Sequence, residues 1–262
     1  MSSSVYSRSV LLFLISMLLL IGCTVKEDRS DCPMPLLVVP GMRAENVPVR
    51  YHVKTEAETV WNDVFVCGAD STVSIEVPRR ILESFASYSK TDFYDREGNY
   101  LILPGSECPE VWTHSAMLDA TKPFVSDTVE LYRSRACITF IIRGTAGRSQ
   151  SMALVGKVDG FLNDGRPSTG DFYCKAGEAG RMDSAGRWTV GVPRQSDDSL
   201  VLEMETSGMY RIFPVGHYLD DGGYDWTAKE LEDVTIEIDY ADYHVRIRTS
   251  AWEHTLTFDI RF

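Results

Sequence analysis

Cations are in short supply in this sequence. Twenty-six lysines and arginines stand against 38 aspartates and glutamates, a formal net charge of −12. Such a chain has no long-range attraction for polyanions. Its few paired cations, Arg79-Arg80 and Arg133 with Arg135, lack the clustering and aromatic interleaving of a nucleic-acid surface. Nucleic acid is excluded as a partner. Histidine is sparse too, with five residues at 52, 114, 217, 244 and 254. His52, His244 and His254 lie in strand-like alternation, where a surface or core role outweighs metal ligation, so no metal residue is assigned. There is no GxSxG, HExxH, P-loop or Gly-rich dinucleotide fingerprint. No catalytic residue and no cofactor is expected, and the chain reads as a non-enzyme. Carboxylates abound, but glycosidase chemistry needs two at a defined separation, which this pattern does not specify. Asp220-Asp221-Gly222-Gly223-Tyr224-Asp225 lacks EF-hand spacing and its terminal Glu, and reads as a turn of solvated carboxylates.

Long apolar runs are also missing. The one extended run, Val10 to Ile21, is 12 residues long and interrupted only by Ser16. A membrane-crossing helix needs roughly 20, and a signal-peptide core about 7 to 15. The run follows a polar start carrying Arg8 and ends in Leu20-Ile21-Gly22-Cys23, which resembles the lipobox of bacterial lipoproteins. Residues 1–22 are therefore expected to be a lipoprotein signal peptide and Cys23 the lipidated residue, since two or three acyl chains hold a protein on a bilayer far more firmly than one. Removing residues 1–22 takes away one arginine and no acid, leaving a charge of −13. Residues 23–32, polar and without periodicity, read as a flexible lipidated tether. Of the six cysteines (23, 32, 67, 108, 137 and 174), lipidation leaves five. None has CxxC spacing, and Cys67 and Cys137 fit small buried strand residues better than reactive ones.

From Pro33 onward, apolar residues follow period two in short runs rich in Val, Ile, Thr, Phe and Tyr, the pattern of an all-β protein. Candidate strands include Leu36–Val39, Val47–Lys54, Thr59–Val66, Thr128–Tyr132, Cys137–Arg143, Trp188–Val192 and Val234–Asp239. Asp95 to Asn99 supplies a hairpin turn. Helix is scarce: Thr227–Glu232 could hold a turn, and Pro78–Ser87 reads equally as helix or strand. The spacing suits antiparallel β-sandwiches, one over 33–132 and a second over 133–262. Trp112, Trp188, Trp226 and Trp252, one per region, fit core anchors better than a sugar platform.

Two segments carry a family resemblance. Lys26-Glu27-Asp28-Arg29-Ser30-Asp31-Cys32-Pro33 resembles the start of the mature FimB-type fimbrial anchor, or fimbrillin-like, lipoproteins of Bacteroidales. Phe213-Pro214-Val215-Gly216, Gly223-Tyr224-Asp225-Trp226 and the run Leu231 to Asp239 resemble that family's last strands. The resemblance implies two tandem transthyretin-like β-sandwiches, a lipid-anchored outer-membrane location exposed at the surface, and a surface-export signal at Lys26, Glu27 and Asp28. It also implies fimbrial pilin subunits as partners, with the chain tethering or initiating a pilus by accepting a donor strand. In polymerising relatives an N-terminal segment is cut after arginine; Arg133 or Arg135 could serve only if exposed. The alternative is a surface lipoprotein that binds glycan or host ligand through an exposed aromatic row.

Overall fold

The computed structural model describes residues 32–257 apart from 67, 69–71, 92–93, 97–98, 144–149, 178–179, 183–186, 207 and 240–243. Residues 1–22, read from the sequence as a signal peptide, and Cys23, Lys26, Glu27 and Asp28 lie outside the described residues, as does Cys67.

The first half runs through β1 (Met34–Pro40), β2 (Pro48–Lys54), β3 (Thr59–Val66), β4 (Val73–Val77), β5 (Ile81–Ser89), β6 (Tyr94–Arg96), β7 (Asn99–Leu101), β8 (Val111–Asp119), β9 (Val125–Val129) and β10 (Tyr132–Arg133). The second half follows with β11 (Arg135–Arg143), β12 (Gln150–Phe161), β13 (Pro167–Lys175), β14 (Arg181–Met182), β15 (Trp188–Pro193), β16 (Val201–Thr206), β17 (Met209–Phe213), α1 (Val215–Asp221), β18 (Val234–Asp239), β19 (His244–Arg248) and β20 (Glu253–Thr257). Alternation drives these strands. In β11, Ala136, Ile138 and Phe140 turn inward and are fully buried, while Arg135, Cys137 and Thr139 turn outward. Fully burying each large apolar side chain stabilises by about 1.5–3 kcal/mol.

The first sandwich faces the sheet β4-β1-β9 against β10-β8-β5-β2-β3. The second faces β15-β11-β18 against β13-β12-β16-β17, and its strands repeat those of the first in order and direction. β11 pairs antiparallel with β15 and parallel with β18, just as β1 does with β4 and β9. β12 lies antiparallel between β13 and β16, as β2 does between β3 and β5. β17 follows β16 as β8 follows β5. This is the expected all-β tandem of sandwiches, with one parallel pair in each.

The chain does not divide at a single point. The hairpin β6–β7, with Arg96 opposite Asn99, belongs to the second sandwich, because Tyr100 and Leu101 pair with Phe161 and Gly160 at the end of β12. The segment after it closes that sandwich's side. Gly105 bridges to Cys174 of β13, and Cys108 donates its backbone N–H to Gly191 of β15 at 2.9 Å. Ile102 and Cys108 thereby join the second core. The division between 132 and 133 read from the sequence thus assigns Tyr94–Pro109 to the half it does not complete.

Helical structure sits where period two breaks down unnoticed. Residues 226–230 form a turn and bend held by Asp225, whose Oδ1 accepts from the Thr227 N–H at 2.8 Å and from its hydroxyl at 2.6 Å, and 231–232 are irregular. The helix is α1 instead, burying Val215, Gly216 and Leu219. Its packing requires a glycine, since a Cβ at 216 would stand 2.3 Å from the Asp198 carbonyl oxygen. The ambiguous stretch at 78–87 resolves as strand β5.

Candidate functional site

Three features combine side chains from distant parts of the chain: a buried carboxylate, a cleft between the sandwiches, and the exposed strand edges. The carboxylate belongs to Asp127, which points inward from β9 between Val125 and Val129. It accepts hydrogen bonds from the Tyr51 hydroxyl at 2.6 Å, the Ser84 hydroxyl at 2.6 Å and His114 Nε2–H at 2.9 Å. Burial alone would raise its pKa, but the bonds from His114, Ser84 and Tyr51 outweigh that and hold it below the usual carboxylate range. Burial beside this anion pushes the Tyr51 phenol far up. Ser, His and Asp therefore meet, but in the wrong order for acyl transfer. Ser84 gives its proton to the carboxylate directly, and a nucleophile would instead have to hand it to the imidazole. The arrangement pins β9 to the opposing sheet through β2, β5 and β8.

The cleft lies on the outward face of the first sandwich's larger sheet, where the loop Leu162–Arg166 of the second sandwich docks. It encloses about 790 Å³. Tyr100 packs edge-on against Phe85 at 5.9 Å, with the Arg50 guanidinium over the same ring. Gly165, at φ +84°, is required twice over, because a Cβ there would stand 2.6 Å from the Phe85 ring. His52 Nδ1–H donates to the Asn163 carbonyl at 3.1 Å, which leaves Nε2 to accept from the Thr59 hydroxyl at 3.1 Å; burial lowers its pKa. Lys54 bridges Asp164 and Glu83, each at 3.1 Å, and Arg166 pairs with Asp164 at 2.7 Å. Burial would raise Asp164, yet the bonds from Arg166 and Lys54 hold it at about 2. The charges of Lys54, Glu83, Asp164 and Arg166 are matched to one another where the loop docks, which suits a junction lock.

The other residues singled out in the sequence have structural settings. Arg133 donates to the Leu231 carbonyl and pairs with Asp233 at 3.0 Å, and Arg135 donates to the Cys108 carbonyl at 2.8 Å. Both lie in strands. Trp188 is fully buried and stacks on Phe140, and Trp226 meets Tyr224 edge-on. Trp112 stacks on Tyr88 against the first core, and Trp252 packs against the second. These four tryptophans do not form an exposed row. Among the described residues, no group of three or more His, Cys, Asp or Glu is placed to hold a metal. Cys32, Cys108, Cys137 and Cys174 are free thiols. Cys108 and Cys174 are the buried pair, whereas Cys137 is only half-buried on an outward face. Burial pushes the Cys174 thiol up to about 12, so it is inert. Cys108 escaped notice because its neighbours Glu107 and Pro109 read as loop, and only docking onto the second sandwich buries it.

β1 begins two residues after Cys32 and lies centrally between β4 and β9, so a tether at the N-terminus would enter the middle of a sheet. Among the described residues, no helix is long and apolar enough to cross a membrane.

No protein-family model matches the chain, and no curated protein matches it. Solved structures do. The chain is similar to the fimbrial anchor protein Mfa2 from Porphyromonas gingivalis, with a TM-score of 0.58 at 11% identity over 85% of this chain and 99% of that one. It is similar to a candidate polysaccharide-binding protein from Bacteroides thetaiotaomicron, with a TM-score of 0.58 at 12% identity over 87% and 99%. A candidate adhesin from the same organism has a TM-score of 0.51 at 11% identity over 86% and 99%. At these identities the likeness is one of fold, and it spans most of the chain. The resemblance to fimbrial anchor lipoproteins read from the sequence is matched at that level.

Proposed function

We propose that this chain is a surface lipoprotein of the outer membrane that anchors a fimbria, or serves it as an accessory subunit, without catalysing a reaction. Lipid on Cys23 holds it to the membrane, Lys26, Glu27 and Asp28 direct its export to the surface, and a pilin joins it by adding a strand. The observation that carries this reading is the pair of sandwiches with the same strand order, in a fold shared with a fimbrial anchor protein along almost that protein's full length. The tether's route supports it. A load on the anchor would reach β1, which is paired along both edges, and pulling along such a strand strains many ladder hydrogen bonds together. Arg133 and Arg135, each held by side-chain bonds within strands, favour a subunit that stays uncut at that point.

The test is a pull-down from detergent-solubilised outer membranes with the wild-type chain and a Cys23→Ala variant, with mass spectrometry of what co-purifies. Pilin-type subunits should accompany the wild type, and the variant should shed fibres into the medium. A wild-type chain that returns without such subunits but binds soluble glycan would replace this reading with that of a ligand-binding adhesin.

A further inference from the structure

The two sandwiches cover their edges differently, and the difference marks a docking edge. In the first, β8 ends its sheet but carries β10 along its outer side, with Tyr132 opposite Thr113 and Arg133 opposite Trp112. The residue before β10, Leu131, is buried in the first core, and the residue after it, Ser134, donates its N–H to Val111 at 3.0 Å. A short extended segment leading into the next sandwich thus seals this edge. The equivalent strand of the second sandwich is β17, and among the described residues no strand lies on its outer side.

The chemistry of β17 agrees with that vacancy. Its most exposed side chains are Met209 at 44%, Tyr210 at 58% and Ile212 at 56%, with the half-buried Arg211 between the last two and the Tyr210 hydroxyl bonded to Glu203. Other edges are guarded in the usual way, by polar or charged exposed positions. β3 exposes Val64 and Val66 but sets Asn62 and Asp63 among them, β4 exposes Ser74 and Glu76, and β9 exposes Ser126 and Thr128. An uncovered edge whose most exposed side chains are large and mainly apolar is a site for strand addition.

We infer that β17 accepts the entry segment of a partner β-sandwich subunit, lying antiparallel to it as β10 lies on β8. This rests on the reading of the chain as a strand-accepting subunit and names the strand that accepts. The occupant is an extended, alternating segment. Its apolar side chains cover Tyr210 and Ile212, and its cations face Glu203 and Glu205, the β16 residues opposite Ile212 and Tyr210. Its positive charge distinguishes it from a second copy of this chain, whose acidic net charge opposes self-association.

The test places a photo-crosslinking amino acid at Tyr210, and separately at Val64 on the β3 edge, in the full-length lipoprotein in its native cell envelope. The position-210 adduct should map by mass spectrometry to the extended segment preceding a β-sandwich subunit. Ile212→Lys should cut its yield about tenfold, the effect of losing one buried apolar contact of this size, with the melting temperature unchanged because Ile212 is mostly exposed. A mapped adduct from position 64 and none from 210 would overturn the assignment to β17 while leaving strand acceptance standing. An adduct with a second copy of this chain would overturn the partner class. No adduct from either position, with no pilin in the pull-down, would overturn strand acceptance itself.

Discussion

Replacing Asp127 by alanine should unfold the first sandwich more readily than any single loss of an apolar core residue of similar size. The substitution removes the one acceptor shared by Tyr51, Ser84 and His114. Each buried donor left without a partner costs about 1–3 kcal/mol. The three do not add in full. Ser84 keeps the Ala116 carbonyl at 3.4 Å, and His114, with 13% of its side chain exposed, can turn to water. Tyr51, fully buried, has no such recourse. The expected loss is about 3–5 kcal/mol, the range for breaking a buried, hydrogen-bonded charge cluster from one side. With a urea slope of about 2 kcal/mol/M, the midpoint of the chain lacking residues 1–22 should fall by about 2 M. Tyr51→Phe removes one donor and should cost about 1–2 kcal/mol, and much less once Asp127 is already alanine. The pH dependence has a definite sign. The folded carboxyl titrates below its ordinary 3.8, so its contribution is complete above that value and fades as pH falls through the lower folded one. Asp127→Asn should flatten that acid limb. A loss below about 1 kcal/mol for Asp127→Ala, or an acid limb unchanged in Asp127→Asn, would refute the view that this carboxylate ties the two sheets together.

Three further outcomes test the packing. Gly216→Val drives a side chain into the Asp198 carbonyl and should cost about 1–3 kcal/mol, read as a melting temperature several degrees lower; an unchanged melt would mean that α1 is not seated as described. A fragment of residues 133–262 lacks β6, β7 and the Ile102–Pro109 closure, so it should melt without cooperativity, whereas 94–262 should melt sharply; equal behaviour of the two would contradict the closure. Asp164→Ala leaves Lys54 with Glu83 alone and releases Arg166, so limited proteolysis should cut the Leu162–Arg166 loop faster, with a stability loss of no more than about 2 kcal/mol.

The pairing of the two sandwiches explains why covered and open edges can be read against each other. Strand order and direction repeat, so a segment that seals one module predicts what would seal its counterpart. β18 illustrates the converse. Its outer edge carries β19, with Thr235 opposite Arg248 and Asp239 opposite His244, while the equivalent edge at β9 carries polar exposed residues and a buried anion behind them. Among the described residues, each module leaves uncovered the edge that the other covers, and the one at β17 exposes the larger apolar side chains.

Period-two alternation by itself determined that the chain is all-β and placed most of its strands, because facing one side of a strand toward a core imposes that period on the residues whatever the partner strand. It also marked Trp112, Trp188, Trp226 and Trp252 as anchors, since large aromatic rings are seldom left in solvent singly in each region. It placed the strand near residue 128 too late, at Thr128–Tyr132 instead of Val125–Val129, and the reason is Asp127. A carboxylate at an inward position looks like a break in the pattern until Tyr51, Ser84 and His114 arrive from three other strands to satisfy it. The same holds for Tyr94–Pro109, whose residues alternate as strand and loop but carry no sign of which sandwich they complete, because pairing between positions so distant in sequence leaves no local trace. Which edges end up bare was likewise decided by tertiary structure alone, since nothing local to Met209, Tyr210 and Ile212 shows that the fold leaves them on the outside.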